Sequence, residues 1–270
     1  FEAGQKKLAL GHGGTLDPAV TGVLPIALGP ATRLLPYLSG DKTYRGRIQL
    51  GTITDSDDLE GTPLRQGPWP ELDAAALERA LGAFRGTIAQ RPPAVSAVHV
   101  DGQRAYKLAR QGQALELPAR SVTIQRLELL AWDPALGQLE LLVGCSAGTY
   151  IRSLARDLGE LLGCGGCLAS LRRTEALGFG LQQSVPLEAL EHTPPPPLVS
   201  PLQALAHLPQ HHLSTADLAG WRCGRSQPCG LALPLDAAVV VVGPDGNLAG
   251  MARLQSEGQL QPRLVLDAAG

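Results

Sequence analysis

Residues 11–34, GHGGTLDPAVTGVLPIALGPATRL, set one histidine, one aspartate and one arginine in a frame of glycines, prolines and aliphatic residues. Asp17 stands between Leu16 and Pro18 with no second acid beside it. A glycosidase needs a partner carboxylate, and a metal site needs further ligands, so neither chemistry fits. The stretch reads as a tight turn or as a rigid mount for a carboxylate that works alone.

Residues 42–54, KTYRGRIQLGTIT, are rich in β-branched residues with partial alternation and predict one long strand. ELDAAALERALGAF (71–84) predicts an amphipathic helix, and SVTIQRLELLAW (121–132) and QLELLVGC (138–145) predict strands joined by a DPALG turn. In GTYIRSLARDLGELLG (148–163) the spacing predicts a helix with Ile151, Leu154, Leu158, Leu161 and Leu162 on one face, ended by Gly163. This alternation is an α+β pattern. It stops at EHTPPPPLVSP (191–201), whose four prolines cannot continue helix or sheet and predict a linker. Beyond it, AAVVVVGPDGNLAGMARL (237–254) reads as two strands around a turn, and LQPRLVL (260–266) as a third. The expected division is a domain over 1–190, a linker over 191–201 and a small β-rich domain over 202–270.

A net charge of −2 over 270 residues does not mark a nucleic-acid binder. The average hides patches: residues 1–50 and 91–130 are basic, and 51–90 are acidic. A basic groove remains compatible with it. No run of 18 apolar residues occurs, and the start lacks a signal-peptide pattern. Five cysteines, unevenly spaced, fit reduced thiols in a cytoplasm. Cys164 and Cys167 form a C-x-x-C, but Cys223 and Cys229 are spaced too widely to complete a zinc ribbon. The pair also follows a helix end instead of opening a helix, as a redox pair would. The simpler reading is small residues at a helix-to-strand turn. TDSDDLEG (54–61) misses the register of a calcium loop and reads as a solvated acidic loop. His207, His211 and His212 read as surface residues, because Pro209 breaks any helix that would align them. Neither a phosphate loop nor a dinucleotide fingerprint nor a nucleophile elbow is present.

Taken together, the motifs point further. The stretch from Gly11 resembles, nearly residue for residue, the G-H-x-G-x-L-D-P-x-x-x-G-x-L-P motif of the TruB family of tRNA pseudouridine synthases. DKTYRGRIQLGTITDSDDLEG (41–61) is similar to the family's K-x-Y motif and its T-D-x-x-D-x-x-G loop. QRPPAVSAVHVDGQRAYKLARQG (90–112) resembles its PP-x-x-S-A segment and Y-x-x-A-R-x-G helix. CSAGTYIRSLARDLGELLGCGG and LASLRRTEALGFG match its G-T-Y-I-R and L-R-R motifs, and the tail resembles a small PUA-like RNA-binding domain. Five motifs in order cover nearly the whole chain.

The resemblance implies a pseudouridine-synthase α+β fold, a mixed and mostly antiparallel sheet with helices, followed by the PUA-like domain. It implies isomerisation of uridine 55 in the T loop of tRNA, on a base flipped out of the stem-loop; a cytoplasmic monomer is the expectation beside it. Asp17 is then the nucleophile, and no metal or other cofactor is called for. Arg152 keeps Asp17 charged and oriented. Tyr44 stacks on the uracil and assists proton transfer at C5. His12 fills the space the base vacates, and Tyr150 and Leu171 line the pocket. Arg110, Arg172 and Arg173, in the basic stretches of the match, are candidate phosphate contacts. The family's K-P-x-G-x-T-S motif has no counterpart before Gly11, and the expectation is a segment of roughly twenty residues absent from this chain, judged by a usual strand plus helix. The rival reading is an RNA-binding or RNA-folding module with little or no catalysis. Retention of Asp17, Tyr44 and Arg152 favours the enzyme.

Overall fold

The computed structural model describes residues 8–96, 99–100, 103–104, 117–191 and 194–266. Arg110 and the Y-x-x-A-R-x-G stretch lie outside them. The chain forms two compact units, one of residues 14–24 and 40–184, the other of residues 1–13, 25–39 and 185–270.

The first unit is built on one mixed sheet. Its strands are β1 (Thr21–Gly22), β2 (Lys42–Leu50), β3 (Gly86–Gln90), β4 (Arg120–Asp133), β5 (Gln138–Cys145), β6 (Gly166–Ala176) and β7 (Phe179–Gly180). The order is β7-β6-β2-β5-β4-β3, every pair antiparallel, with β1 lying parallel beside β6. Side chains alternate along β2: Tyr44, Gly46, Ile48 and Leu50 are buried, while Arg45 and Arg47 face solvent. The strand expected over 42–54 is interrupted at Gly51, which has φ 77° and where a Cβ would collide with the Gly67 carbonyl. Thr52–Thr54 then pairs with Pro63–Gln66 as a separate hairpin.

Among the described residues, two helices cover the apolar face of the sheet. Helix α1 (Ala74–Gly82) is capped by Asp73, whose carboxylate accepts from the Ala76 amide at 2.6 Å, and it buries Leu77, Ala80 and Leu81. Helix α2 (Ile151–Leu161) buries Ile151, Leu154, Ala155, Leu158 and Gly159. Leu161, expected on the buried face, is 56 % exposed. The reason is the close approach of α2 to β6. A Cβ on Gly159 would collide with the backbone of Gly165 and Gly166, so the small side of the helix turns toward the strand and Leu161 turns out. The glycines of Cys164-Gly-Gly-Cys167 thus make the contact, and both thiols are buried, that of Cys167 pushed up to about 11 by burial. Gly159→Ala is expected to lower stability by about 1–3 kcal/mol through overpacking. Thermal unfolding checks this, and an unchanged midpoint would show that the helix can lift off the strand at no cost.

The second unit holds a five-stranded sheet of β8 (Gln210–His212), β9 (Gln227–Pro228), β10 (Ala238–Val242), β11 (Leu248–Leu254) and β12 (Gln259–Val265) in the order β8-β10-β11-β12-β9. The Val239–Val242 run is buried on both faces, as an unbroken apolar strand requires. Val239 and Val241 pack with Trp221 and Leu260, and Val240 and Val242 pack with Leu34, Leu205 and Met251. Leu34 comes from the turn of 3-10 helix over Gly29–Tyr37, so a segment near the N-terminus completes a core whose strands lie beyond residue 209. A cut at residues 194–197 would strip the cover from Leu34.

Candidate active site

Asp17 lies in the loop between Gly14 and Thr21. Its carbonyl accepts from the Val20 amide at 2.9 Å, closing a turn through Pro18, and its side chain remains 49 % exposed. Arg152, in the first turn of α2 and only 6 % exposed, reaches it from the protein side, with Nη2 2.9 Å from Asp17 Oδ2. Asp17 is thereby a half-exposed carboxylate held at Oδ2 by a buried guanidinium.

Arg152 is itself held in place. Its Nη1 donates to the Ser56 carbonyl at 3.0 Å and Nη2 to the Val95 carbonyl at 3.0 Å, and Nε lies 3.7 Å from Asp58 Oδ2. One helical turn on, Arg156 pairs with Asp57 at 2.8 Å and donates to the Arg91 carbonyl at 2.9 Å. Residues 54–61 are therefore not the solvated acidic loop expected. Asp57 and Asp58 turn inward onto arginines of α2, and burial raises the Asp57 carboxyl against the opposing pull of Arg156. Gly61 allows the loop to fold on itself, since a Cβ there would collide with Ser56 Oγ. The start of α2 is clamped by Gln90, which accepts from the Tyr150 amide at 2.8 Å and donates to the Tyr150 carbonyl at 3.1 Å. Ser153 adds a bond to the Arg91 carbonyl at 2.8 Å.

Tyr44 sits on β2 between Val143 and Arg173, on the face toward α2. Burial raises its phenol above the usual value, and the neighbouring Arg173 works against that rise. Leu171 and Ile151 close over Gly46, where a Cβ would come within 3.1 Å of Leu171 Cδ1. Tyr150, at the entrance to α2, is half-buried. His12 ends the strand Leu10–His12, is exposed, and belongs to the other compact unit.

Of the expected phosphate contacts, Arg172 is exposed, as that role requires. Arg173 is not: it is 1 % exposed, and its guanidinium is spent on carbonyls of the Asp17 loop. Adjacent residues of a strand point to opposite faces, so only one of the pair can meet solvent. Lys42, on the same face as Tyr44, brings its ammonium to 3.0 Å from where a Gly14 Cβ would stand. Burial, then Arg173, lowers its pKa. No group of three or more potential metal ligands gathers among the described residues.

Residues 3–151 match the model of the TruB family pseudouridylate synthase N-terminal domain, and 152–194 match that of the tRNA pseudouridylate synthase B C-terminal domain. The chain belongs to the TruB family of tRNA pseudouridine synthases. Among curated relatives, the tRNA pseudouridine synthase B of Parasynechococcus marenigrum (strain WH8102) is 65 % identical, over 97 % of this chain and 89 % of that protein. The protein of the same name from Synechococcus sp. (strain WH7803) is 58 % identical over the same shares. Two solved structures share the fold: a chain of an H/ACA ribonucleoprotein bound to a substrate RNA containing 2′-deoxyuridine, and one of a Cbf5-Nop10-Gar1 complex. The first has TM-score 0.65 and 20 % identity, covering 95 % of this chain and 76 % of that one. The second has TM-score 0.64 and 22 % identity, covering 96 % and 75 %.

Within the family frame, reasoning from sequence missed Asp58, Lys42 and Gln90 as parts of this site. Asp58 and Lys42 sit inside quoted motifs, and that was the available signal. Gln90 opens the 90–112 stretch but stands outside its PP-x-x-S-A pattern, and a glutamine at a strand end is ordinary until its amide meets two backbone groups sixty residues away. No helix among the described residues is long and apolar enough to cross a membrane.

Proposed function

We propose that this protein isomerises uridine to pseudouridine in tRNA, at position 55 of the T loop, with Asp17 as the nucleophile on a flipped-out base. The observation that carries the reading is the buried Arg152 guanidinium 2.9 Å from a half-exposed Asp17. Family membership and the names of the curated relatives support the substrate class. The reaction breaks the N1–C1′ bond, forms a C5–C1′ bond, releases the C5 proton and leaves a proton on N1. It is redox-neutral, so one positioned carboxylate and a proton relay suffice.

In this reading Arg152 orients Asp17, Tyr44 stacks on the uracil, and Leu171 and Tyr150 line its pocket. His12 takes the vacated place in the stem, and Arg172 and Arg110 meet phosphates. The β-rich residues beyond 202 act as a PUA-like grip on RNA, and the enzyme works as a cytoplasmic monomer. Burial raises the Tyr44 phenol, which favours the neutral hydroxyl over the phenolate, and it serves C5 through that hydroxyl. Tyr44→Phe should keep the stacking surface and tRNA affinity within about threefold, while kcat falls by about 100-fold or more. Steady-state kinetics beside filter binding reads both quantities, and a Phe variant with near-normal kcat would take Tyr44 out of the proton transfer.

The reading as a whole is tested by tritium release from a T-arm hairpin carrying C5-labelled uridine. Release that disappears when position 55 is cytidine is the expected result. Tight RNA binding with no tritium released would instead support an RNA-folding module.

A further inference from the structure

We propose that Arg173 is a positioning residue for Asp17: one side chain and its own backbone tie both ends of the Gly14–Val23 segment to the sheet. The inference rests on Asp17 being the reacting group.

The backbone of Arg173 takes the end of the segment. Arg172 and Arg173 pair in parallel with Thr21 and Gly22, and the Val23 amide donates to the Arg173 carbonyl at 2.8 Å. Gly22 has φ 107°, and a Cβ there would collide with that carbonyl, so the approach requires glycine. The side chain of Arg173 takes both ends at once. Nε donates to the Val23 carbonyl at 2.8 Å, Nη2 to the Gly14 carbonyl at 3.1 Å and Nη1 to the Thr15 carbonyl at 3.4 Å. Between those anchors Asp17 is the only charged residue.

The electrostatics argue against a mere packing role. Arg173 is 1 % exposed, and among the described residues no carboxylate pairs with it. A buried cation without an acid is expensive, and an apolar side chain would fill the volume at lower cost. Lys42 on the same face adds a second positive charge. What an apolar residue lacks is the planar fork that reaches carbonyls at two ends of a loop. Two arginines then divide the work, Arg152 aiming the carboxylate and Arg173 fixing the backbone that carries it. A shift of the reacting atom by about 1 Å costs on the order of 100-fold in rate.

Arg173→Lys and Arg173→Gln in the full chain provide the test, with Leu77→Ala, buried under α1, as a control for lost stability. On the T-arm hairpin, well below every unfolding midpoint, kcat of the Arg173 variants should fall about 30- to 100-fold with Kd within threefold. The control should keep kcat within twofold. Hydrogen exchange at the Val20 and Val23 amides should quicken in the Arg173 variants and not in the control. Exchange is read without substrate, so an inactive wild type would sink the proposed reaction and leave the positioning claim to be decided by the amides. Folded variants with kcat within threefold of wild type overturn the claim, whatever their exchange. So does failure of both to fold by circular dichroism, which would make Arg173 part of the scaffold.

Discussion

Asp17→Asn is expected to lower turnover by about 10⁴-fold or more while tRNA affinity stays within about threefold. Asparagine keeps the shape of the side chain and its place between Leu16 and Pro18. It cannot act as a carboxylate nucleophile, and it exchanges the ion pair with Arg152 for a weaker neutral hydrogen bond. Affinity for a folded RNA comes mostly from phosphate contacts spread over the surface, so one neutralised group at the reaction centre moves it little. The change should not unfold the protein, because the Asp17 side chain is half-exposed and the loop is held by backbone pairing at Thr21 and Gly22. Single-turnover tritium release and filter binding at fixed salt measure the two quantities. Turnover at a tenth of wild type would remove Asp17 from its role.

Arg152→Lys should cost about 100- to 1,000-fold in kcat although the charge is kept. The guanidinium serves Asp17, Asp58 and the carbonyls of Ser56 and Val95, in directions set by its plane. An ammonium on a shorter stem cannot reach all four. At least one buried carbonyl is then left unpaired, at about 1–3 kcal/mol, so the unfolding midpoint should fall as well. The two effects separate by assay temperature. Loss of activity that vanishes on cooling would assign Arg152 to stability alone, and loss that persists in the folded variant assigns it to Asp17.

Local pattern in the chain determined a good deal by itself. The lone Asp17 in its glycine-proline mount, Arg152 at the head of an amphipathic helix and Tyr44 in an alternating strand can each be read from a dozen residues. So can the β-strands of the second unit, because periodicity and turn residues act within that span. The motif match set the family on the same local information. Tertiary structure decided what depends on partners far along the chain. Alternation says that Arg172 and Arg173 point opposite ways, but only the pairing of Arg173 with Tyr44 and Gly22 says which one is buried. The approach of Gly159 to Gly166 set the rotation of α2 and turned Leu161 out. Asp57 and Asp58 look like a solvent loop until Arg156 and Arg152, nearly a hundred residues later, are laid against them. Leu34 likewise finds its cover far along the chain, in Leu205, Val240, Val242 and Met251. Each of these is a contact between segments whose own sequences are satisfied either way, so the choice is made by burial and hydrogen bonding across the fold and leaves no trace in any one stretch of it.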